Sequence, residues 1–241
     1  MWTISQHSRY RRGMQLKQHA VANELGRDIS EHLPDPATLK GLPELNNFHK
    51  AIWDQASPYL RTRRNDIHSL FAFGIASALL EFHPQADPEV VLPAILLHDT
   101  GWSCVPENEV LEGIAPGGGR RELVLLHEKE GARIGREILT SLNHPAELID
   151  EIVEIIDGHD SRRETLSIND SIVKDADKIW RVTPWGISVI MDWFGLERSQ
   201  AVQLCAARVH GHLFTDEGAA MARAFTSLES LAATTEVHAV F

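Results

Sequence analysis

Apolar residues recur along most of the chain at the three- and four-residue spacing of amphipathic helices. From about Asn46 onward this spacing is nearly continuous, and the alternating apolar and polar pattern of strands is almost absent. The stretch before it is more polar and is punctuated by the sequence HLPDPATLKGLPE. We therefore predict an all-α, single-domain helical bundle over residues 46–241, preceded by an N-terminal arm or short helices over residues 1–45.

Proline, glycine and polar stops divide the pattern into separate helices. The segment PYLRTRRNDIHSLFAFGIASALLEF (58–82) predicts one long helix. The segment PEVVLPAILLHDTG (88–101) predicts the next, with Pro88 near its start and Gly101 as its stop. The segment VPENEVLEGIAPGGGRR (105–121) is typical of a loop. The remaining predicted helices cover residues 121–142, 145–160, 167–182, 186–195, 199–210 and 218–233.

Composition narrows the class of protein. Hydrophobic residues make up 43% and charged residues 24%, as in an ordinary globular domain. The formal net charge of -11 argues against non-specific nucleic-acid binding, which depends on Lys and Arg neutralising phosphates. The two cysteines cannot form a disulfide framework, no apolar run is long enough to span a membrane, and the first residues do not resemble a secretory signal. We expect a cytoplasmic protein that binds neither nucleic acid nor a membrane.

Four histidines lie where the apolar pattern predicts burial. His68 interrupts an almost wholly apolar helix, and His98 ends one. His127 follows the sequence ELVLL, and His159 continues the apolar stripe of its predicted helix. Any one of them is more often a core histidine than a ligand. Together with the neighbouring Asp99, they indicate a site.

The run AILLHDTGW ends in the adjacent pair His98 and Asp99. Desolvating an imidazole beside a carboxylate is costly unless something pairs with both. A divalent metal ion is such a partner, because imidazole and carboxylate are ligands of iron, manganese, cobalt and zinc. The alternative for Asp99 is a carboxylate at a helix end that binds nothing.

An ordered set of residues resembles the HD superfamily of metal-dependent phosphohydrolases: His68, His98, Asp99, His127, His159 and Asp177. The sequence LLHDTGW resembles the central motif of that family, and DADKIWRV resembles its last motif. The resemblance covers about residues 60–195 and implies an all-helical bundle.

The resemblance also implies a set of metal ligands. One ion would be held by His68, His98, Asp99 and Asp177. Asp99 would bridge to a second ion held by His127 and His159, as in the dinuclear, six-ligand branch of the family. Periodicity alone leaves Asp175 as an alternative to Asp177, and the resemblance favours the second aspartate of the pair. We expect one or two divalent transition-metal ions.

The expected substrate contacts are Arg64, Asn65, Lys178 and Arg181. Arg64 and Asn65 precede His68 by four and three residues, and so share its predicted helix face. Many relatives carry Arg where this chain has Asn65, so Arg64 is expected to take that role. Lys178 matches a basic family position. Asp99, Lys178 and Arg64 form the expected catalytic set. The alternative for Arg64 is a surface charge, and for Lys178 an ion pair with Asp175 or Glu154.

The function implied by the resemblance is that of a metal-dependent phosphohydrolase. A bound divalent ion activates a water, which attacks a small phosphorylated substrate such as a nucleotide. The alternative is a di-iron oxygenase of the same fold that oxidatively cleaves an alcohol-bearing or phosphonate substrate. We prefer the hydrolase because Arg64 and Lys178 add phosphate-binding charge. A homo-oligomer is expected, of undetermined order.

Two further features have open interpretations. The stretch APGGGRRE (115–122) is interpreted as a flexible connection, with a lid over the site as the alternative. Four tryptophans are interpreted as core residues, with stacking on a nucleobase as the alternative: Trp102, Trp180, Trp185 and Trp193.

Overall fold

The computed structural model of the chain describes residue 26 and residues 28–117 and 119–234. Over these ranges the regular elements are α-helices and short 3-10 helices, with no strand, which confirms the all-α class. The chain divides into two compact units, one up to Leu42 and one from Pro43 onward. Within the described part of the first unit, the 3-10 helices are Ser30–His32 and Pro36–Thr38, and most of the predicted N-terminal arm lies outside the described residues.

In the described part of the second unit, the α-helices are α1 (Asn47–Ala56), α2 (Asn65–Leu80), α3 (Pro88–Leu97), α4 (Val110–Ile114), α5 (Arg121–Ser141), α6 (Ala146–Ile156), α7 (Ile168–Ile179), α8 (Pro184–Phe194), α9 (Arg198–Val209) and α10 (Asp216–Ala232). The 3-10 helices here are Tyr59–Arg64, Thr100–Cys104 and Trp180–Val182. Among the described residues, no helix is both long enough and apolar enough to cross a bilayer.

Helix α3 lies at the centre of the bundle. Asp87 caps its first turn by accepting a hydrogen bond from the Glu89 backbone, and Pro88 occupies the first helical position. Almost every residue from Val90 to Leu97 is buried, because the helix is apolar on all sides and contacts α2, α6 and α7. The helix ends at Leu97, so the residues that follow it begin in the interior of the bundle.

The long helix predicted over residues 58–82 is wrong at its start. Arg63 and Arg64 adopt left-handed backbone conformations, with φ of 56° and 64°, and separate a 3-10 helix from α2. The hydrophobic pattern does not encode this break, because left-handed torsions at non-glycine residues are set by local contacts. The Arg63 guanidinium stacks on Trp193 at 4.5 Å from the ring centroid, and that of Arg64 lies 5.8 Å from the Trp185 centroid.

Two other boundaries differ from the sequence prediction. Helix α4 forms inside the predicted loop 105–121, because Val110 packs in a small apolar cluster with Trp102 and Leu123. Helix α6 ends at Ile156 rather than at residue 160, so the predicted helical stripe does not reach His159.

A glycine permits the closest approach in the bundle. A Cβ atom built on Gly101 would lie 1.9 Å from the His127 carbonyl oxygen and 2.4 Å from the Gly131 nitrogen. Only a residue without a side chain allows the segment after α3 to contact α5 at this distance. The contact brings His127 beside the end of α3.

Candidate metal centre

One group of potential ligands comes from α2, from the end of α3 and from α7. The Nε2 atoms of His68 and His98 lie 2.9 Å apart. The Asp177 Oδ1 atom lies 3.2 Å from His68 Nε2 and 3.7 Å from His98 Nε2. All three side chains are buried.

Asp99 faces this group with one carboxylate oxygen and a second group with the other. Its Oδ2 atom lies 3.3 Å from His68 Nε2 and 3.5 Å from His98 Nε2. Its Oδ1 atom lies 3.8 Å from His127 Nε2 and 3.7 Å from His159 Nε2. The Trp102 indole donates a hydrogen bond to Oδ1 at 3.1 Å, which fixes the plane of the carboxylate.

The second group contains a residue that sequence reasoning missed. The Nε2 atoms of His127 and His159 lie 3.3 Å apart, and the Asp160 Oδ2 atom lies 3.7 and 3.8 Å from them. The sequence carries a signal for Asp160, because His159 and Asp160 repeat the His-Asp order of His98 and Asp99.

The donor atoms fit a divalent cation. Ligands about 2.1 Å from a shared ion are roughly 3.0–3.4 Å apart when they subtend octahedral or tetrahedral angles. The distances above run from 2.9 to 3.8 Å, close to that range. The Nδ1 atom of His98 donates to the Ile95 carbonyl at 2.8 Å, and that of His159 donates to the Ile156 carbonyl at 2.8 Å. A neutral ring bonded in this way directs its Nε2 lone pair into the cluster, as metal coordination requires.

Charge is concentrated in the cluster. Burial opposes ionisation of Asp99, yet His98 and the other histidines hold the pKa of this carboxyl well below its usual range. Burial, together with the neighbouring His159, lowers the pKa of His127 to about 4. Burial also acts to lower the pKa of His159, but Asp99 and Asp160 outweigh it and raise this pKa to about 10. Protons and metal ions therefore compete for the same nitrogens.

The turn that carries His159 and Asp160 is held by two buried charged residues. The Glu128 carboxylate accepts hydrogen bonds from the backbone of Asp160 at 2.8 Å and of Ser161 at 2.7 Å. The Lys174 ammonium is fully buried. It donates to the carbonyl oxygens of Gly158 at 2.7 Å, His159 at 3.1 Å and Arg162 at 2.9 Å. These contacts replace the helical bonds that end with α6.

A cavity of about 210 Å³, open to solvent, lies over the cluster. His68, Asp99, Asp160 and Asp177 form its floor. Its walls contain cationic and aromatic side chains: Arg63, Arg181, Arg208, Trp102, Trp180 and Trp193. Polar groups that converge on the floor of a cavity with aromatic side chains in its walls are typical of a small-molecule site.

The structure brings two of the four expected substrate contacts to this cavity. Asn65 is buried in its wall. Arg181 Nη1 donates to the Asp177 carbonyl at 3.1 Å and to its Oδ2 at 3.2 Å. Arg63 and Arg208 also line the cavity, and neither was predicted from the sequence.

Arg64 and Lys178 are not among the described residues that line the cavity, and their expected catalytic roles stay predictions. The left-handed backbone at Arg64 removes it from the helix face of His68. Lys178 follows Asp177 by about 100° around α7, so it faces another side of the helix. Its Nζ donates to the Lys174 carbonyl at 3.3 Å and lies 5.3 Å from the Phe214 ring centroid.

Asp175 has a separate structural role. Its carboxylate accepts hydrogen bonds from the Phe214 nitrogen at 2.8 Å, the Thr215 nitrogen at 2.9 Å and the Thr215 hydroxyl at 2.7 Å. Because Thr215 caps α10, Asp175 fixes the start of that helix.

Residues 65–181 match the family model described as HD domain. A search of curated proteins and a search of solved structures each found no match. The matched range contains both ligand groups, whereas Arg63 and Arg208 lie outside it.

Proposed function

The chain carries an HD domain over residues 65–181, and on that premise we propose that it is a metal-dependent phosphohydrolase acting on a small phosphorylated substrate. The observation that carries the proposal is the position of Asp99. Its two oxygens face two groups of ligands at the floor of a cavity that has arginines in its walls.

The proposed ligands divide between two ions. One would be held by His68, His98, Asp99 and Asp177, and the other by Asp99, His127, His159 and Asp160. A divalent cation supplies an acidified water as nucleophile and positive charge for a phosphoryl oxygen. Trp102 holds the shared carboxylate through its hydrogen bond, and its ring stacks on that of His127 at a centroid distance of 4.0 Å.

The charge of the cavity supports an anionic substrate. Three arginines and three aspartates line it, so their formal charges balance. Each divalent cation held by the aspartates would leave the site net positive, which favours phosphate over a neutral substrate. Guanidinium groups suit this ligand because they bind phosphate oxygens in pairs.

Two arginines are placed to bind the reacting phosphoryl group. Arg181 is fixed by Asp177, which is itself a proposed metal ligand. Arg208 donates to the Ile114 carbonyl at 3.0 Å, and it lies within the electrostatic reach of Arg181 and Asp160. Burial lowers the pKa of Arg208, and the neighbouring Arg181 acts in the same direction. An incoming anion would relieve the repulsion between the two cations.

The apolar walls strengthen these interactions. Trp102 and Trp180 are buried beside the proposed ligands, and Trp180 meets the His68 ring edge-on at a centroid distance of 4.5 Å. The proposed ligands next to these side chains are themselves largely buried. Charges that act in such surroundings are screened less than in bulk water.

The test begins with metal analysis of freshly purified protein that has met no chelator. We expect one or two equivalents of a divalent transition metal per chain. We also expect phosphate release from at least one phosphomonoester or nucleotide in a panel assayed with manganese or cobalt. His98→Ala removes both properties, whereas His212→Ala, the same change at an exposed histidine, keeps them.

Two outcomes would contradict the proposal. Wild-type protein that binds no divalent metal would refute the metal centre. Iron-bound protein that consumes oxygen with an alcohol or phosphonate, and releases no phosphate from any member of the panel, would favour the oxygenase instead.

A further inference from the structure

We propose that Arg63 binds a second anionic group of the substrate, at the side of the cavity away from the metal ligands. The inference rests on the proposed function, because it takes the first anionic group to be the phosphoryl group at the metal centre. It narrows the substrate to a molecule with a phosphoryl group at one end and a phosphate or carboxylate at the other.

Arg63 reaches the cavity because of its unusual backbone. Its left-handed φ of 56° turns the side chain away from the path of α2. The guanidinium then lies over the Trp193 ring, 4.5 Å from the centroid, and both side chains line the cavity. Stacking on an indole fixes the guanidinium plane and leaves its edge free to donate hydrogen bonds.

One donor of the Arg63 guanidinium is unsatisfied. Its Nη1 atom is buried and has no hydrogen-bonding partner among the described residues. Burial lowers the pKa of Arg63 to about 10, and Glu107 only partly opposes this effect. A half-buried cation whose buried donor is unsatisfied is costly, and a bound oxyanion would supply the missing acceptor.

A series of aromatic contacts leads from Arg63 to the proposed metal ligand His68. Trp193, which carries the guanidinium, packs on Trp180 at a centroid distance of 6.4 Å. Trp180 in turn contacts His68. The charges agree with this order, because Glu107 is the carboxylate that acts on Arg63, whereas Asp177 and Asp160 act on Arg181.

The arginines therefore divide between two positions. Arg181 and Arg208 lie beside the cluster and serve the reacting group. Arg63 lies beyond Trp180 and Trp193 and serves the other end of the substrate. Because Arg63 precedes the matched range, this second contact belongs to this chain rather than to the HD domain itself.

The experiment compares ligands that carry one or two phosphonate groups, since phosphonates are not hydrolysed. Calorimetry on manganese-loaded full-length protein measures a series of α,ω-alkylene diphosphonates, each beside the alkyl monophosphonate of the same length. In the wild type, we expect one spacing to bind at least about tenfold more tightly than its monophosphonate, as two separate charge-assisted contacts allow.

The variants assign that advantage to a residue. Arg63→Gln is expected to abolish the diphosphonate advantage while leaving monophosphonate binding within about twofold. Arg61→Gln removes the same charge from an exposed residue of the same 3-10 helix and should leave the advantage intact. Arg208→Gln should weaken both ligands of a pair by similar factors. Arg63→Lys keeps the charge, so part of the advantage should remain.

Melting curves establish that each variant is folded. If Arg63→Gln does not fold, the diphosphonate advantage of Arg63→Lys is compared with that of Arg61→Lys instead. The proposal is overturned if no spacing shows an advantage in the wild type, or if the Arg63 variants weaken mono- and diphosphonates equally. Failure of the wild type to bind manganese would refute the proposed function as well, and the two failures are therefore distinguishable.

Discussion

Lys174 offers a direct measure of how the fold builds the second ligand group. Its side chain is fully buried, and its ammonium donates to three backbone carbonyls in the turn that carries His159 and Asp160. The substitution Lys174→Met retains an unbranched side chain of similar length but removes the charge and every donor. The perturbation is therefore confined to the contact between α7 and the turn.

The expected cost follows from those three bonds. An unsatisfied buried carbonyl costs about 1–3 kcal/mol. The loss is partly offset, because burial of the lysine is itself unfavourable and lowers its pKa. Three such carbonyls would cost about 3–9 kcal/mol before this offset, and we expect a net loss of about 3–5 kcal/mol. For a domain of this size, that corresponds to a fall of roughly 6–20 °C in Tm.

Thermal and denaturant unfolding in the presence of a chelator measure this loss without a contribution from metal binding. Lys50→Met is the matched control, because Lys50 is exposed on α1. Metal content is the second readout, since a displaced turn removes His159 and Asp160 from the proposed second ion. A Tm within about 2 °C of the wild type would refute the reasoning, because the turn would then not depend on the ammonium.

Three further predictions concern the cluster and its surroundings. Manganese should raise Tm and a chelator should reverse the rise, since a ligand at a hundred times its Kd stabilises by about 2.7 kcal/mol; an unchanged Tm would contradict a folded-state metal site. Gly101→Ala should prevent stable folding, judged by soluble yield and circular dichroism, because its Cβ would overlap the His127 carbonyl. Gly74→Ala, whose Cβ meets only ordinary contact, should be neutral or stabilising by about 0.5–1 kcal/mol. Asp177→Ala should lower metal content, whereas Asp175→Ala should lower Tm by loosening α10 and keep the metal; the reverse pattern would exchange their roles.

The helical architecture could be predicted from the sequence, because the spacing of apolar residues reports which side of each helix is buried. The all-apolar run of α3 could only be a central helix, and the same reasoning made His98 and Asp99 conspicuous at its end. Asp177 and Asp175 show the limit of periodicity. Each belongs to an apolar stripe of α7. Only the tertiary contacts distinguish Asp177, which lies beside His68, from Asp175, which fixes the start of α10.

The features that sequence reasoning missed depend on backbone breaks. The hydrophobic pattern predicts Arg63 and Arg64 on the same helix as His68 and Arg64 near the site. Both residues adopt left-handed torsions, and Arg63 lines the cavity whereas Arg64 does not. The hydrophobic pattern does not point to Asp160, because it predicts that the helix of Ile156 continues through residue 160. Hydrophobic patterns report which face of a regular element is buried, and they carry no information about the torsions where an element ends.

The proposed metal ligands and the arginines of the cavity wall come from different parts of the chain. The proposed metal ligands lie within residues 65–181 and are fixed by buried contacts such as that of Trp102 with Asp99. Arg63 and Arg208 come from the segments on either side of that range and form part of the cavity wall. A substitution at either arginine therefore alters the charge that meets the substrate without removing a metal ligand. Under the proposed function, the residues that match the HD domain would supply the chemistry of this site, and the flanking segments would select the substrate.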